Sequence, residues 1–460
     1  MGIQQYQTII DDHFPRYYFS GFTEHPEEIS AWKATEAQVV LYEKVTWTIT
    51  NEEGVAEVKG LRYGENPGQE AALYRPINGH LVLAGLEFLG LGASLVGGLD
   101  NESLIQFGKH PGKINLTDVD SALAILKYFY EFPCAVIIKH NNPSGVALGD
   151  SLREAYTKAY EADPIAPFGG VLVVNRAVDR ESAEAIAEEY YEVVCAPDYE
   201  AGAIAVLSKR KNLRIVRLKN ISRLQEYIGR HYLDTKCLVD GSVIHQWSYV
   251  PTAGEPSEPI RGYDDFKRLV LLPVHVPERG MEGGKMVRTG RQVSIERPPT
   301  EEEMKDLWFA WMVETGVVSN SVLTAKNLAT VSIGVGVQDR VMMAKQCVSK
   351  AYESRRALIA KKRFGMNFDA LALEVREGKH AASVLQEIEA EAQVGHAGLE
   401  GAVAASDAFF PFRDGVDALL EQGIKAIVQP GGSLRDADAL TACNERSATM
   451  VFTNVRCFKH

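Results

Sequence analysis

The chain has 460 residues, 46% of them apolar, and a formal net charge of −12. That length exceeds one simple core and predicts two or three domains. The negative balance and the scattered Lys and Arg argue against a nucleic-acid groove or a membrane surface as the main partner. An anionic small molecule needs only a few local cations and stays open.

No apolar run reaches transmembrane length, and the opening MGIQQYQTIIDDHF lacks the basic and apolar regions of a signal peptide. The six cysteines (Cys134, Cys195, Cys237, Cys347, Cys443, Cys457) are far apart and form no C-x-x-C. That is the pattern of reduced thiols in a cytoplasmic protein.

Residues 1–60 carry no motif beyond a strand-like Trp47-Thr48-Ile49-Thr50. At 61 comes LRYGENPGQEAALY, where Arg62 and Tyr63 precede turn residues Gly64, Asn66-Pro67 and Gly68. It reads either as a surface turn or as a loop holding Arg62 against an anion, because a guanidinium fork matches phosphate geometry. Residues 80–112 are rich in Gly and Leu, without the spacing of a phosphate fingerprint. Thr117 should cap a helix whose stripe is Val119, Ala122, Leu123, Leu126 and Phe129.

CAVIIKHNNPSGVALG (134–149) follows. Its run Ala135–Ile138 reads as a buried strand ending in Lys139-His140. Asn141, Asn142, Pro143, Ser144 and Gly145 should break it at once and let a cation and an imidazole reach one ligand. A Lys-His pair at a strand end is more often plain solvated surface. Alternating helices and strands then run to about residue 218, which predicts α/β layering.

Residues 250–298 are rich in Pro, Gly and charge, as a linker or an ordered excursion would be. Thr300 and Glu303 form a capping box at a helix start. A strand ending in Gly334-Val335-Gly336 leads to Asp339-Arg340, where Asp339 puts a carboxylate beside Arg340. Residues 341–400 read as long helices with a solvated charged face. The last 60 residues read as loop, helix, strand, Gly-Gly-Ser turn, helix and strand. Such a turn exposes backbone N–H groups at a helix N-terminus.

Six ordered segments resemble AICAR transformylase: RYGENPGQ, KHNNPSG, DPIAPFGG, SNSV with GVGVQDR, SDAFFPFRDG, and QPGGS with NVRCFKH. Together they span about 400 residues, one hypothesis with several confirming contexts. Gly68, Ala166, Pro167 and Asp339 depart from the family pattern. The resemblance implies an α/β fold of two cytidine-deaminase-like lobes with a helical insertion. The expected lobes are 1–240, carrying the Lys-His motif, and 241–460, with a linker at about 250–298 and the insertion at about 341–404. It implies formyl transfer from N10-formyltetrahydrofolate to the 5-amino group of AICAR, in a homodimer with active sites at the interface. Only about 60 residues precede RYGENPGQ, less than a usual domain. A stand-alone transformylase without the cyclohydrolase domain is therefore expected.

Carried over residue by residue, Lys139 and His140 are the catalytic pair. Arg62, Tyr63, Asn115 and Arg456 fall where the family binds the nucleotide. Asn320, Arg340 and Phe409 fall around the aminoimidazole carboxamide, and Asp414, Ser433 and Phe458 fall by the folate. No catalytic metal is implied, and a structural monovalent cation is allowed. The chemistry suits these residue types: an imidazole takes the amine proton near neutral pH, while an ammonium stabilises an oxyanion or helps protonate the leaving nitrogen.

Two other readings compete. A zinc deaminase needs H-x-E and P-C-x-x-C, but Pro133-Cys134 is followed by Ile137, and His396 by Gly398. A catalytically impaired homologue would bind AICAR as a sensor or scaffold; retention of both Lys139 and His140 argues against it.

Overall fold

The computed structural model describes residues 16–22, 38–50, 54–65, 69–76, 81–83, 86–88, 95–282 and 285–460. Gly68, one of the expected departures, lies outside the described residues. The chain divides into two compact units. One comprises 1–120, 175–187 and 191–250, and the other 121–174, 188–190 and 251–460. These units do not follow a single cut in the sequence.

The strands that carry the architecture are β1 (Leu104–Gln106), β2 (Cys134–Lys139), β3 (Asn142–Leu148), β4 (Gly170–Val174), β5 (Tyr191–Ala196), β6 (Arg214–Arg217), β7 (Val322–Lys326), β8 (Ala329–Gly334), β9 (Val403–Ser406), β10 (Ala426–Gln429) and β11 (Thr449–Phe452). The helices that matter below are α1 (Lys113–Leu126), α2 (Leu152–Ala162), α3 (Glu301–Glu314), α4 (Arg340–Phe364), α5 (Arg413–Leu420) and α6 (Asp436–Glu445).

In the first unit β5 pairs in parallel with β6, and β6 pairs antiparallel with β1. Small antiparallel hairpins accompany them. In one, Trp47–Thr50 pairs with Ala56–Lys59, and Trp47 is buried with its indole N–H donating to the Leu99 carbonyl at 3.2 Å. The expected strand at 47–50 is present.

In the second unit eight strands hydrogen-bond in the order β11-β10-β9-β7-β8-β3-β2-β4. The run β9-α5-β10-α6-β11 is parallel, with a helix in each crossover. The other neighbours are antiparallel. The strands are buried on both faces, so they read as continuous apolar runs such as Cys134–Ile138 and Val171–Val174. Helix α3 starts as its sequence dictates, with the Thr300 and Glu303 capping box closed. Its Trp308 and Phe309 pack on Phe129 at ring separations of 5.3 and 5.1 Å.

Helix α1 begins at Lys113, four residues before the expected cap. Thr117 lies inside it and returns its hydroxyl to the Ile114 carbonyl. Asn115, the third residue of the helix, reaches back instead and accepts the Gly112 N–H at 3.1 Å, as the return bond of a capping box does. The expected stripe is buried at all five positions, Val119, Ala122, Leu123, Leu126 and Phe129.

The described residues of 250–298 form an ordered excursion. Leu271 exchanges two backbone hydrogen bonds with Phe452, and the Gly254 N–H donates to the Thr453 carbonyl. The excursion so covers strand β11, the outermost in the order above, where unpaired backbone groups would otherwise be open to another chain. In 341–400, α4 is followed by helices Phe368–Arg376 and Ser383–Gln393. These close a small core of Ile359, Ala360, Leu371, Ile388 and Ala392. Among the described residues, no helix is long and apolar enough to cross a membrane.

Candidate functional site

One edge of the second unit's sheet gathers most of the candidate residues. There lie the carboxyl ends of β2, β8, β9, β10 and β11 and the amino ends of β3, β4 and β7. In open α/β sheets ligands collect beyond carboxyl strand ends.

The Lys-His motif is an apex. Lys139 of β2 pairs with Asn142 of β3, so the turn residues are His140 and Asn141, with φ of 56° and 60°. Two left-handed residues in a two-residue hairpin match the twist of the flanking strands. The expectation that Asn141 to Gly145 form the loop is corrected here. The turn begins one residue earlier, at His140, and ends at Asn141, and Pro143, Ser144 and Gly145 belong to β3. Pro143, which has no N–H to give to the ladder, sits where the register shifts. His140 is exposed, whereas Lys139 is half-buried and donates to the Phe168 carbonyl at 2.9 Å. That carbonyl belongs to the DPIAPFGG turn, in which the buried Asp163 accepts the N–H groups of Ile165 and Ala166.

The hairpin is tied to its neighbours. The Asn142 side chain accepts the Val318 N–H at 3.0 Å, and the Lys459 ammonium donates to the Gly316 carbonyl at 2.9 Å and the Asn141 carbonyl at 3.5 Å. Two hydrogen bonds join Ser319 and Lys459: the Ser319 N–H donates to the Lys459 carbonyl, and the Lys459 N–H donates to the Ser319 hydroxyl. The Ser319 hydroxyl then donates to the Asp407 carboxylate at 2.5 Å.

Asp407, just past the carboxyl end of β9, is the hub. Fully buried, it accepts from the Ser321 N–H at 3.1 Å and from the Arg340 guanidinium. Arg340, itself 7% exposed, also donates to the Ser321 carbonyl at 2.8 Å, the Ser406 hydroxyl at 3.1 Å and the Asn320 side-chain oxygen at 3.1 Å. Asn320 passes this on, donating to the Gln338 carbonyl at 3.0 Å. Arg340 therefore orients the Asn320 amide. The carboxylate beside Arg340 is Asp407 and not Asp339, whose side chain accepts the Met342 N–H as the N-cap of α4. Glu314 is buried nearby, accepting the Ser321 hydroxyl at 2.9 Å. Desolvation, reinforced by the Asp407 charge, holds its carboxyl well above the ordinary range.

Arg456 is exposed, with its guanidinium 4.9 Å from the centre of the Phe458 ring. Phe409 is exposed at the start of the loop into α5, and Asp414 is exposed in that helix's first turn. Ser433 follows Gly431 and Gly432, whose φ values of 74° and 92° need glycine. The Gly432 N–H is already taken, at 2.7 Å, by Asp436. Burial pushes the Asp436 carboxyl up to about 6, against the pull of the Gly432 and Ser433 N–H groups.

Arg62, Tyr63 and Asn115 belong to the first unit. The Arg62 N–H donates to the Pro111 carbonyl and the Lys113 N–H to the Tyr63 carbonyl, which clamps the two loops together. Arg62 lies over the Tyr63 ring at 5.0 Å. Asn115 donates to Glu192 at 2.9 Å, and the buried Arg214 reaches the same carboxylate at 3.5 Å and the His110 carbonyl at 3.4 Å. Burial, with the charges of Lys59, Arg62 and Arg214 nearby, pushes the His110 imidazole down to about 4. Lys59 is paired with Glu57 at 2.6 Å and Arg214 with Glu192 at 3.5 Å, which leaves Arg62 as the cation of this cradle that an anion would meet.

Asp407, Glu314, Arg214, His110 and Lys459 were not picked out from the sequence. For Asp407 a signal was present, since SDAFFPFRDG places it just beyond a strand. Arg214 and His110 carry no local pattern that sets them apart.

The model for the AICARFT/IMPCHase bienzyme family matches residues 16–250 and 281–350. The chain is 36% identical over 401 residues to the bifunctional purine biosynthesis protein PurH of Persephonella marina, covering 87% of this chain and 59% of that one. It is 35% identical over 400 residues to the protein of the same name from Aquifex aeolicus, with the same two shares. For that of Caldicellulosiruptor saccharolyticus the identity is 34% over 403 residues, covering 88% and 59%. The chain thus spans 59% of the length of these relatives. A match over both units, together with the Lys-His hairpin and the Asn320–Arg340 pair in its strand-end setting, gives one conclusion: the chain belongs to the AICARFT/IMPCHase bienzyme family.

Proposed function

We propose that this chain transfers a formyl group from N10-formyltetrahydrofolate to the 5-amino group of AICAR, giving FAICAR and tetrahydrofolate, in purine biosynthesis. The observation that carries the reading is the hairpin apex His140, beside Lys139, on the sheet edge that also holds Asn320, Arg340 and Asp407. His140 takes the proton of the attacking amine. Lys139 stabilises the oxyanion formed on the formyl carbon or supplies the proton to the leaving nitrogen. Asn320, oriented by Arg340, and Phe409 meet the aminoimidazole carboxamide. Arg62, Tyr63, Asn115 and Arg456 hold the nucleotide, with the phosphate on the guanidinium groups. Asp414, Ser433 and Phe458 hold the folate.

The accompanying fold reading is two cytidine-deaminase-like lobes, 1–240 and 241–460, with a helical insertion at 341–404. The β9-α5-β10-α6-β11 run supports it for the second lobe. The protein works as a homodimer with active sites at the interface. Five cysteines buried as free thiols suit a reducing cytoplasm. Activity in potassium against tetramethylammonium buffer tests a structural monovalent cation.

The deciding experiment is a steady-state assay of the purified chain with AICAR and N10-formyltetrahydrofolate. FAICAR should accumulate, and no inosine monophosphate should form from FAICAR. Absence of formyl transfer overturns the activity; ring closure by this chain overturns the narrower reading that it performs formyl transfer alone.

A further inference from the structure

A second cationic site lies in the second unit, away from the edge just described. A cavity of about 180 Å3 opens between α2, the β7–β8 hairpin, α4 and the turn 394–398. Lys158, Lys326 and Arg355 line it together with Thr330 and Ser354. Its one acidic lining residue, Glu161, is already engaged by Lys362 at 2.5 Å. Lys158 pairs with Glu154 at 2.6 Å, and Lys326 donates to the Glu400 carbonyl at 2.7 Å, with the Asp306 carboxylate close enough to feel its charge. Arg355, half-buried, has no ion pair among the described residues. In a chain of net charge −12, this concentration of positive charge in a concavity calls for a ligand.

The rim supplies an independent observation. Gly395, His396 and Ala397 have φ of 60°, 49° and 58°, three left-handed residues in succession. Two of them carry a Cβ, at a cost of roughly 1–2 kcal/mol each. Ala397 is thereby turned onto the cavity wall. Strain of this kind persists where surrounding structure over-determines it, and it clusters at ligand clamps.

Size and charge select the ligand. Pockets for whole drug-sized molecules measure roughly 300–1,000 Å3. This one is smaller and fits the anionic end of a molecule. A guanidinium fork with two ammonium groups and neighbouring hydroxyls suits a tetrahedral dianion better than a carboxylate. We propose that the cavity between α2, the β7–β8 hairpin and α4 is a binding site for a phosphate group, held by Arg355, Lys326 and Lys158. The group comes as free phosphate or at the end of a nucleotide. Arg355 lies 15 residues after Arg340 on α4, about 22 Å along the axis. The site is therefore separate from the Asn320–Arg340 cluster, yet it sits on the same helix and at the far end of the same hairpin.

The test uses the intact chain and inorganic phosphate, read by thermal unfolding and by 31P NMR line broadening. Phosphate should raise the unfolding temperature of the wild type and of Arg62→Ala, which lacks a cation in the first unit's cradle. In Arg355→Gln and Lys326→Gln the titration should move to at least tenfold higher phosphate, and Arg355→Lys should recover part of the affinity. Adenosine monophosphate run in parallel separates the sources: a response to the nucleotide that Arg355→Gln abolishes, with none to phosphate, still supports the site and identifies a nucleotide as its ligand. Wild-type titrations in both Gln variants overturn the proposal. So does a phosphate effect that disappears in Arg62→Ala alone. Should Arg355→Gln not fold, Lys326→Gln and Lys158→Gln decide. Formyl-transfer activity enters none of these readouts, so failure here and failure of the formyltransferase reading are distinguishable.

Discussion

His140 holds a left-handed backbone that few residues accept. Histidine and asparagine visit that region more readily than most, so His140→Asn changes the imidazole while keeping the turn. Turnover should fall by about a hundredfold or more, the usual share of a positioned acid–base group. Ribonucleotide affinity should change much less. Turnover close to wild type would remove His140 from the mechanism. The half-buried His110 and the buried Asp436 give the residue scale a pH signature of opposite signs. The unfolded chain protonates His110 near its ordinary 6.5, while the folded chain waits until about 4. Stability should therefore drop on acidification from 6.5 towards 4. Asp436 does the reverse. Its folded value of about 6 stands above the ordinary 3.8, so stability should rise on acidification from 6 towards 3.8. Denaturant titrations of His110→Gln and Asp436→Asn against pH separate the two, since each variant should lose only its own slope. An unchanged pH profile in both would refute the assigned shifts. An anion bound in the first unit's cradle should raise the His110 value, visible by NMR.

At the scale of elements, the Lys-His hairpin depends on how closely α2 lies on β3. A Cβ added at Gly145 would come 1.8 Å from the Ala159 carbonyl oxygen, which is backbone and cannot swing aside. Gly145→Ala should cost about 1–3 kcal/mol, the usual range for overpacking. It should also displace β3 and with it the His140 apex, so stability and turnover should fall together. A Gly145→Ala protein with wild-type stability would mean that α2 yields easily. The contrast is α3, whose capping box is local and whose start was readable from Thr300 and Glu303. Removing that cap by Thr300→Ala should cost only about 1 kcal/mol.

For the whole molecule the question is assembly. Arg62 belongs to the first unit, while His140, Asn320 and Arg340 belong to the second. Under the dimer reading, an inactive Arg62→Ala protein mixed with an inactive Arg340→Ala protein should regain activity once subunits exchange, because a two-fold axis repeats every contact and some heterodimers keep one intact site. Freely exchanging dimers without regained activity would mean that both residues act within one chain. A fully active monomer in sedimentation would end the interface reading.

What could be read along the chain was whatever depends on neighbours in sequence. The apolar run Ala135–Ile138 is a buried strand, the stripe from Val119 to Phe129 is buried, and Thr300 caps α3, because period, burial and capping are written within a few residues. The motif resemblance likewise rests on short segments in order, and the family match bears it out. Tertiary structure decided the rest. Which carboxylate neutralises Arg340 could not be read from adjacency: Asp339, next in the chain, turns to its own helix, while Asp407, 67 positions on, is brought over by the pairing of β7 with β9. The apex at His140 followed from the register of β2 on β3. The cations around His110, and those around Arg355, come from separate segments that only folding brings together. Charge acts through space, and a desolvated ion takes whichever partner the fold puts within reach.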